Sequence, residues 1–338
     1  MDIAVLIVNW NAGPLLGRCL DALLRQRRAP EKIIVVDNAS TDDSLALAAA
    51  QLRSVELVQL TENTGFARAN NLAARAAGKV DAIALLNPDA FPEPDWLASL
   101  AAAAERFPQF AAFASQMRLD GAPDRLDGAG DSYHVSGRAW RNGHGAPAGT
   151  WPSGEYEVFA PCAAAALYRR QAFEEIGGFD ESYFCYFEDV DLGFRLRLHG
   201  YPSLYVPSAI VRHVSSALSG YRSEFAVYHG ERNSVWTFFK NMPAPLLWMY
   251  LPQHLALNLA SLLFYPLRGQ GRAVWRAKWD ALVGLPAVLA RRRTEQRARR
   301  ADWRALRHVM ARDPSAPYRA RYSVAPPPSP PPVSDTES

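Results

Sequence analysis

The sequence predicts an α/β protein built on a doubly wound, mainly parallel sheet with covering helices. Three observations lead there. Short apolar runs without polar alternation, "IAVLIV" and "KIIVVD", have the character of strands buried on both faces. The segments between such runs carry leucines and alanines at helical spacing. The strand-like runs end in polar residues, Asn9, Asp37 and, just past the fourth run, Asp89, at the carboxyl edge where ligands gather in sheets of this kind.

Taken in order, "IAVLIV" is the first strand. "GPLLGRCLDALLRQ" is a helix, with Pro14 suited to a first turn and Leu16, Leu20, Leu23 and Leu24 on one face. "KIIVVD" is the second strand, "SLALAAAQL" a helix, "VELVQL" a third strand, "FARANNLAARAA" a helix and "VDAIALLNPD" a fourth strand. Between about residues 118 and 154 the chain turns Gly- and Asp-rich, as in "RLDGAPDRLDGAGDSY", and reads as a long irregular loop of the kind that is usually functional or mobile. "EVFAPCAAAALYRR" resumes as a strand or strand pair. "FEDVDLGFRLR" opens a helix that stops at His199 and Gly200, and "LYVPSAIVRHV" is the last strand.

Composition narrows the class. A chain of 338 residues, 49% hydrophobic and 21% charged, buries a full core with material left for an appendage. The net charge of +3 hides an arginine-rich stretch from Arg268 to Arg321. Cys19, Cys162 and Cys185 are odd in number and lack metal-knuckle spacing, which fits a reducing cytosol, and the N-terminus lacks a secretory pattern. No charged residue lies between Lys240 and Arg268 if His254 is neutral, but Pro252, Gln253, His254, Asn258 and Pro266 interrupt the run. That pattern favours a helix pair at a membrane interface over a spanning helix. "NWNAGPLLG" is not the glycine fingerprint of a dinucleotide site, nor the basic phosphate loop of a nucleotidyltransferase. "APPPSPPPVSDTES" is a polyproline-rich tail expected to be disordered.

Three carboxylates, Glu188, Asp189 and Asp191, crowd the start of the "FEDVDLGFRLR" helix. Acids at a helix N-terminus ordinarily offset its unpaired N–H groups. A catalytic base with neighbours that set its pKa is the sharper reading. "VLIVNWN", "VVDNASTDDS", "NTGFARANN", "LLNPDA", "YFEDVDLGFRLRLHGY" and "VRHV" decide for it, because they occur in the order and rough spacing of family 2 glycosyltransferases. The resemblance covers about residues 3 to 240 and is greatest to the rhamnosyltransferase branch.

The resemblance implies a GT-A fold, a nucleotide-diphospho-sugar donor (dTDP- or UDP-linked), Mg²⁺ or Mn²⁺, and inversion at the anomeric carbon. It puts Asn9, Asp37, Arg68, Asn71, Asn87 and Asp89 on the donor side. Asp37 would accept the N3–H of a pyrimidine base as an exposed carboxylate; an Asx turn is the alternative. "LLNPDA" keeps the second acid of the family's D-x-D motif as Asp89 and has Asn87 at the first, with His213 of "VRHV" as the distant metal ligand. Asp189, second acid of the "ED" pair, would be the base, Glu188 an acceptor contact, and Asp191 a structural partner of Arg195 four residues on.

These readings give a transferase domain over 1–225, a helical, basic, membrane-associating region over 226–323 and a tail over 324–338. The expected activity is transfer of L-rhamnose from dTDP-L-rhamnose to a glycan or polyprenyl-linked acceptor in cell-surface glycan synthesis, at the cytoplasmic face of the membrane. UDP-dependent galactofuranosyl or hexosyl transfer is the enzymatic alternative. A non-catalytic membrane or nucleic-acid binder is the alternative of another class, and no nucleic-acid partner is expected of the transferase.

Overall fold

The computed structural model describes residues 1–215, 223–313 and 315–316. The first four strands, β1 (Ile3–Asn9), β2 (Lys32–Asp37), β3 (Glu56–Gln59) and β4 (Ala82–Leu86), are parallel neighbours in the order β4-β1-β2-β3. Their crossovers carry α1 (Leu15–Leu24), the short α2 (Ser44–Leu47) and α3 (Ala49–Leu52), and α4 (Gly65–Ala76). β1 shows why the run lacks alternation. Ile3, Val5 and Ile7 enter one core, against Leu16 and Leu20, while Ala4, Leu6 and Val8 enter a second on the other face, with Ala69 and Ala73. Every residue of β1 is buried.

Beyond β4 the chain forms β5 (Ala90–Pro92), α5 (Trp96–Arg106), β6 (Ala112–Leu119) and β7 (Ala122–Ala129). It continues through β8 (Asp131–Tyr133), β9 (Ala139–Arg141), β10 (Tyr156–Val158) and β11 (Ala165–Arg169), then α6 (Arg170–Glu175), α7 (Glu188–Leu198) and β12 (Ser203–His213). Among the described residues one ten-stranded sheet runs β10-β12-β6-β11-β4-β1-β2-β3, with β5 on β12 and β7 on β6. β11 is antiparallel to both β4 and β6, and β6–β7 is a hairpin.

The expected mainly parallel sheet is therefore a mixed one: β4-β1-β2-β3 and the pair β6–β12 are parallel, while β11, inserted between β4 and β6, and the strands β5, β7 and β10 run antiparallel to their neighbours. The Gly- and Asp-rich stretch is also not irregular. Gly137, at φ 92°, supplies the turn between the paired strands β8 and β9, so its conformational freedom makes a hairpin that composition alone presents as loop.

The C-terminal part is helical: α8 (Glu224–Asn241), α9 (Ala244–Phe264), α10 (Gly271–Ala298) and α11 (Trp303–Val309). It shares a core with α7, in which Val190, Phe194 and Leu198 meet Phe238, Met242, Leu246 and Leu306. The helix pair expected between Lys240 and Arg268 is one helix, α9, continuous through Pro252. Among the described residues no helix is long and apolar enough to cross a membrane. α9 and α10 nevertheless expose Trp248, Leu259, Leu263, Trp275 and Trp279, each more than 60% accessible. Arginines of the basic stretch turn inward: Arg291 bonds Asp180, and Arg292 caps α8 through the carbonyls of Phe239 and Met242. The expected Pro-rich tail lies outside the described residues.

Candidate active site

A cleft of about 450 Å³ opens at the carboxyl ends of β1 and β4. Trp10, Asn38, Gly65, Asn87 and Asp89 form one wall; Trp140, Arg141 and Cys162, the segment Phe184–Asp189, His213 and Phe225 form the rest. This is the edge at which parallel α/β sheets bind ligands.

The donor-side expectations divide. Asn87 and Asp89 line the cleft. Asn9 and Asp37 lie beneath it, buried: Asn9 Nδ2 donates to Asp37 Oδ1 (2.8 Å) and to Ser44 Oγ (2.9 Å), and the Ser40 amide donates to Asp37 Oδ2 (3.2 Å). Asp37 is thus 3% accessible rather than exposed, because it closes its own turn, the Asx-turn alternative. Asn38 instead fixes the "NTG" loop, accepting from the Thr64 amide at 2.8 Å and donating to Asn63 at 2.9 Å. Arg68 and Asn71 are not in the cleft wall. Arg68 is half exposed and 3.8 Å from Glu181, and Asn71 exchanges hydrogen bonds with the backbone of Phe179, both at 2.9 Å.

His213, at the end of β12, reaches both Asp89 and a residue the sequence reading missed. Its Nδ1 is 2.8 Å from Asp127 Oδ2, and its Nε2 faces Asp89 Oδ1 at 3.2 Å. Those last two atoms are buried, and among the described residues they meet no polar partner but each other. A buried carboxylate oxygen and imidazole nitrogen facing each other, with a second carboxylate behind the ring, are together able to hold a divalent cation. Burial works to lower the His213 pKa, but the Asp127 hydrogen bond and the Asp89 carboxylate outweigh it, so the ring is more basic than a free histidine.

Asp127 is in turn held by Arg141 at 2.6 Å. Burial would raise its carboxyl, yet Arg141 and the His144 and His213 hydrogen bonds keep it below the usual range. Asp131, Cys162 and Asp189 also bring ligand atoms within 4.8 Å of one another. Arg141 already supplies positive charge there and burial keeps the Cys162 thiol protonated, so this group is the poorer host for a cation. Asp127, Asp131, Trp140 and Arg141 all come from the stretch read as loop; its repeated Asp-Gly and Gly-Asp pairs were the available signal.

On α7 the three acids separate. Asp191 is fully buried on Arg195 (2.8 Å) and Lys240 (2.8 Å), the structural role expected of it. Burial pushes Glu188 well above the usual carboxylate range, helped by the charge of Asp189. Burial also raises Asp189, opposed by the amides of Ala163 (3.2 Å) and Val190 (2.8 Å) and by the Arg141 charge. The pair therefore titrates apart, Glu188 holding its proton to higher pH and Asp189 ionising first. An ionised carboxylate with raised basicity, facing an open cleft, can take a proton from a hydroxyl bound there.

Residues 1–234 match the family model described as "Glycosyltransferase like family 2". N-acetylglucosaminyl-diphospho-decaprenol L-rhamnosyltransferase of Mycobacterium tuberculosis (strain CDC 1551 / Oshkosh) is 30% identical over 283 residues, 73% of this chain and 88% of that one. The O-antigen chain rhamnosyltransferase RfbN of Salmonella typhimurium is 28% identical over 215 residues, 63% of this chain and 66% of that one. Among solved structures, GalNAc-T7 with UDP, GalNAc and Mn²⁺ superposes with a TM-score of 0.56 at 17% identity, covering 71% of this chain and 48% of that one. The mannosyltransferase PcManGT from Pyrobaculum calidifontis, in complex with GDP-Man and Mn²⁺, gives 0.52 at 18% identity, covering 87% and 86%. At such identities these two speak for the fold alone. A cleft at the strand ends, a cation-type donor pair and a basic carboxylate, in a chain that the family model matches over residues 1–234, place the protein in the glycosyltransferase family 2-like family, and it is a glycosyltransferase.

Proposed function

We propose that the protein is an inverting rhamnosyltransferase that moves L-rhamnose from dTDP-L-rhamnose onto a lipid-linked sugar acceptor. The observation that carries it is the juxtaposition, in one cleft, of the Asp89–His213 pair and the Asp189 carboxylate. The likeness to a rhamnosyltransferase whose name specifies a decaprenol-diphosphate acceptor supports the choice of sugar and acceptor.

Asp89 and His213 would hold Mg²⁺ or Mn²⁺, which when bound neutralises charge on the leaving diphosphate. Asp189 accepts the proton of the acceptor hydroxyl. The hydroxyl oxygen forms the new bond to the anomeric carbon from the face opposite the diphosphate. The sugar–phosphate C–O bond breaks and its electron pair leaves with the nucleotide. Glu188, protonated, donates a hydrogen bond to the acceptor. Asp37 and Asn9 shape the floor under the nucleotide base, and Asn87 faces the donor beside Asp89.

The exposed tryptophans and leucines of α9 and α10, with Arg268, Arg272 and Arg276 nearby and no acid between Met242 and Trp279, suit the surface of an anionic bilayer. We place the enzyme there, at the cytoplasmic face, against its lipid-linked acceptor. Transfer assayed with dTDP-L-rhamnose, UDP-galactofuranose and UDP-glucose in turn, with Mg²⁺, Mn²⁺ or chelator, tests the reading. Rhamnose transfer that chelation abolishes is expected; transfer from a UDP-sugar alone moves the enzyme to galactofuranosyl or hexosyl chemistry, and no transfer from any donor overturns it.

A further inference from the structure

The chain leading into Glu188 and Asp189 has an unusual backbone. Phe184, Tyr186 and Phe187 all sit at positive φ, at 64°, 66° and 66°. Bulky residues are disfavoured there because Cβ crowds the backbone. Something must hold them, and the structure shows what does. Asn233 of α8, fully buried, turns its Nδ2 on three carbonyls of the loop, its two hydrogens shared among those of Tyr183 (3.0 Å), Cys185 (3.0 Å) and Tyr186 (2.7 Å). Arg232 donates to Asn233 Oδ1 at 2.9 Å and to the Tyr183 carbonyl at 3.0 Å. On the opposite side the loop is pressed onto the donor wall. The Ala67 amide donates to the Phe184 carbonyl at 3.2 Å, and a Cβ on Gly65 would stand 2.6 Å from the Phe184 ring.

The left-handed path turns aromatic rings into the cleft. Phe184, Tyr186 and Phe225 form an edge-to-face group with centroids 6.2–6.3 Å apart, and His229 stacks on Phe184 at 5.3 Å. All three aromatics line the cleft that contains Asp189. A pyranose ring has an apolar C–H face that packs on such rings while its hydroxyls point to polar groups, here Glu188 and Asp189.

We propose that the 183–187 loop with Phe225 is the platform on which the acceptor sugar stacks, and that Asn233 is the positioning residue that holds this platform and the start of α7 in register. This rests on the transferase reading. A helix of the C-terminal region thereby completes the acceptor side of the site, although it contributes no group to the reaction.

The test compares Asn233→Ala and Phe225→Leu with wild type, each normalised to folded protein. Readouts are transfer kcat, acceptor KM, donor hydrolysis by water and affinity for the nucleoside diphosphate. In Asn233→Ala a displaced base and platform should lower kcat about 10- to 100-fold and raise acceptor KM, with donor hydrolysis, which needs the same base, falling alongside kcat while nucleotide affinity stays within about twofold. Phe225→Leu lies outside the strained loop and keeps its bulk, so acceptor KM should rise with kcat and nucleotide affinity little changed. If Asn233→Ala does not fold, Asn233→Ser, which keeps one donor, should show the same split in smaller measure. Wild-type kcat and KM per folded molecule in an Asn233 variant would overturn the positioning role, and an unchanged KM in Phe225→Leu would overturn stacking. A wild-type enzyme that transfers nothing from any donor would instead sink the reading on which the proposal rests.

Discussion

Two buried clusters of charge flank α7, and they are completed to different degrees. Beneath the helix, Asp191, Arg195, Lys240, Asp180 and Arg291 close on one another: Lys240 bridges Asp180 (2.6 Å) and Asp191 (2.8 Å), and Arg195 spends its remaining donors on the carbonyls of Ile176 and Gly178. In the cleft, the series Asp89, His213, Asp127 and Arg141 is also linked, yet Asp131 Oδ1 and Glu188 Oε2 are left without a hydrogen bond, and Asp89 Oδ1 and His213 Nε2 meet only each other at 3.2 Å. Buried polar atoms normally find partners, because leaving one unpaired forfeits its hydration for nothing. The cluster that is complete has the character of structural support, and the incomplete one leaves contacts that a ligand could supply. Acid content alone does not distinguish them.

The contrast is sharpest between Asp189 and Asp191, two residues apart on one helix. Asp189→Asn should cost about 10²- to 10⁴-fold in kcat with nucleotide affinity and melting temperature nearly unchanged, as loss of a general base does. Near wild-type turnover would end its assignment as the base. Asp191→Asn should behave in the opposite sense, losing about 3–5 kcal/mol of stability because Arg195 is left buried without its counter-charge and Lys240 keeps only Asp180. Chemical denaturation measures it, and a stability equal to wild type would show that the lower cluster is not closed in the way described.

Smaller effects test the cleft cluster. Asp127→Asn, one step behind His213, should weaken cation-dependent nucleotide binding about 10- to 100-fold, as changes behind a metal-ligating histidine do, while binding with chelator present stays the same. Titration calorimetry with and without Mn²⁺ reads the difference. Glu188→Gln should give the smallest change, and one that depends on pH. Glu188 holds its proton more tightly folded than unfolded, where its ordinary value is 4.5. The stability it contributes is thus fully present below that value and is lost as pH rises through the raised one. The Gln variant should match wild type near pH 4 and melt progressively higher than it as pH rises, and a difference that does not vary with pH would remove the buried, protonated Glu188 from the account.

What the sequence made legible follows the same physics. β1, β2 and β4 were readable because a strand covered on both faces must be apolar throughout, and α7 because its acids, arginines and the His199–Gly200 stop mark both ends. Asp189, Asp89 and His213 were found by motif and stand in one cleft. Asn9, Asp37 and Asn71 carry motif residues whose side chains turn to backbone and turn closure, a distinction that spacing cannot convey. Asp127, Asp131 and Arg141 were hidden because glycine-rich short hairpins have the composition of loops. Asn233 was hidden for another reason: a single asparagine within a helix gives no pattern, and its importance arises only from three carbonyls brought to it by a distant turn.

Cys162 and Cys185 line the same cleft as Asp189. Burial raises both thiols well above their ordinary range, and at Cys185 the charge of Glu188 adds to it. Peroxides and alkylating reagents attack the thiolate, which these residues scarcely populate at neutral pH. The burial that raises the cleft's carboxylates thus also keeps these two thiols in the protonated form, the less reactive one.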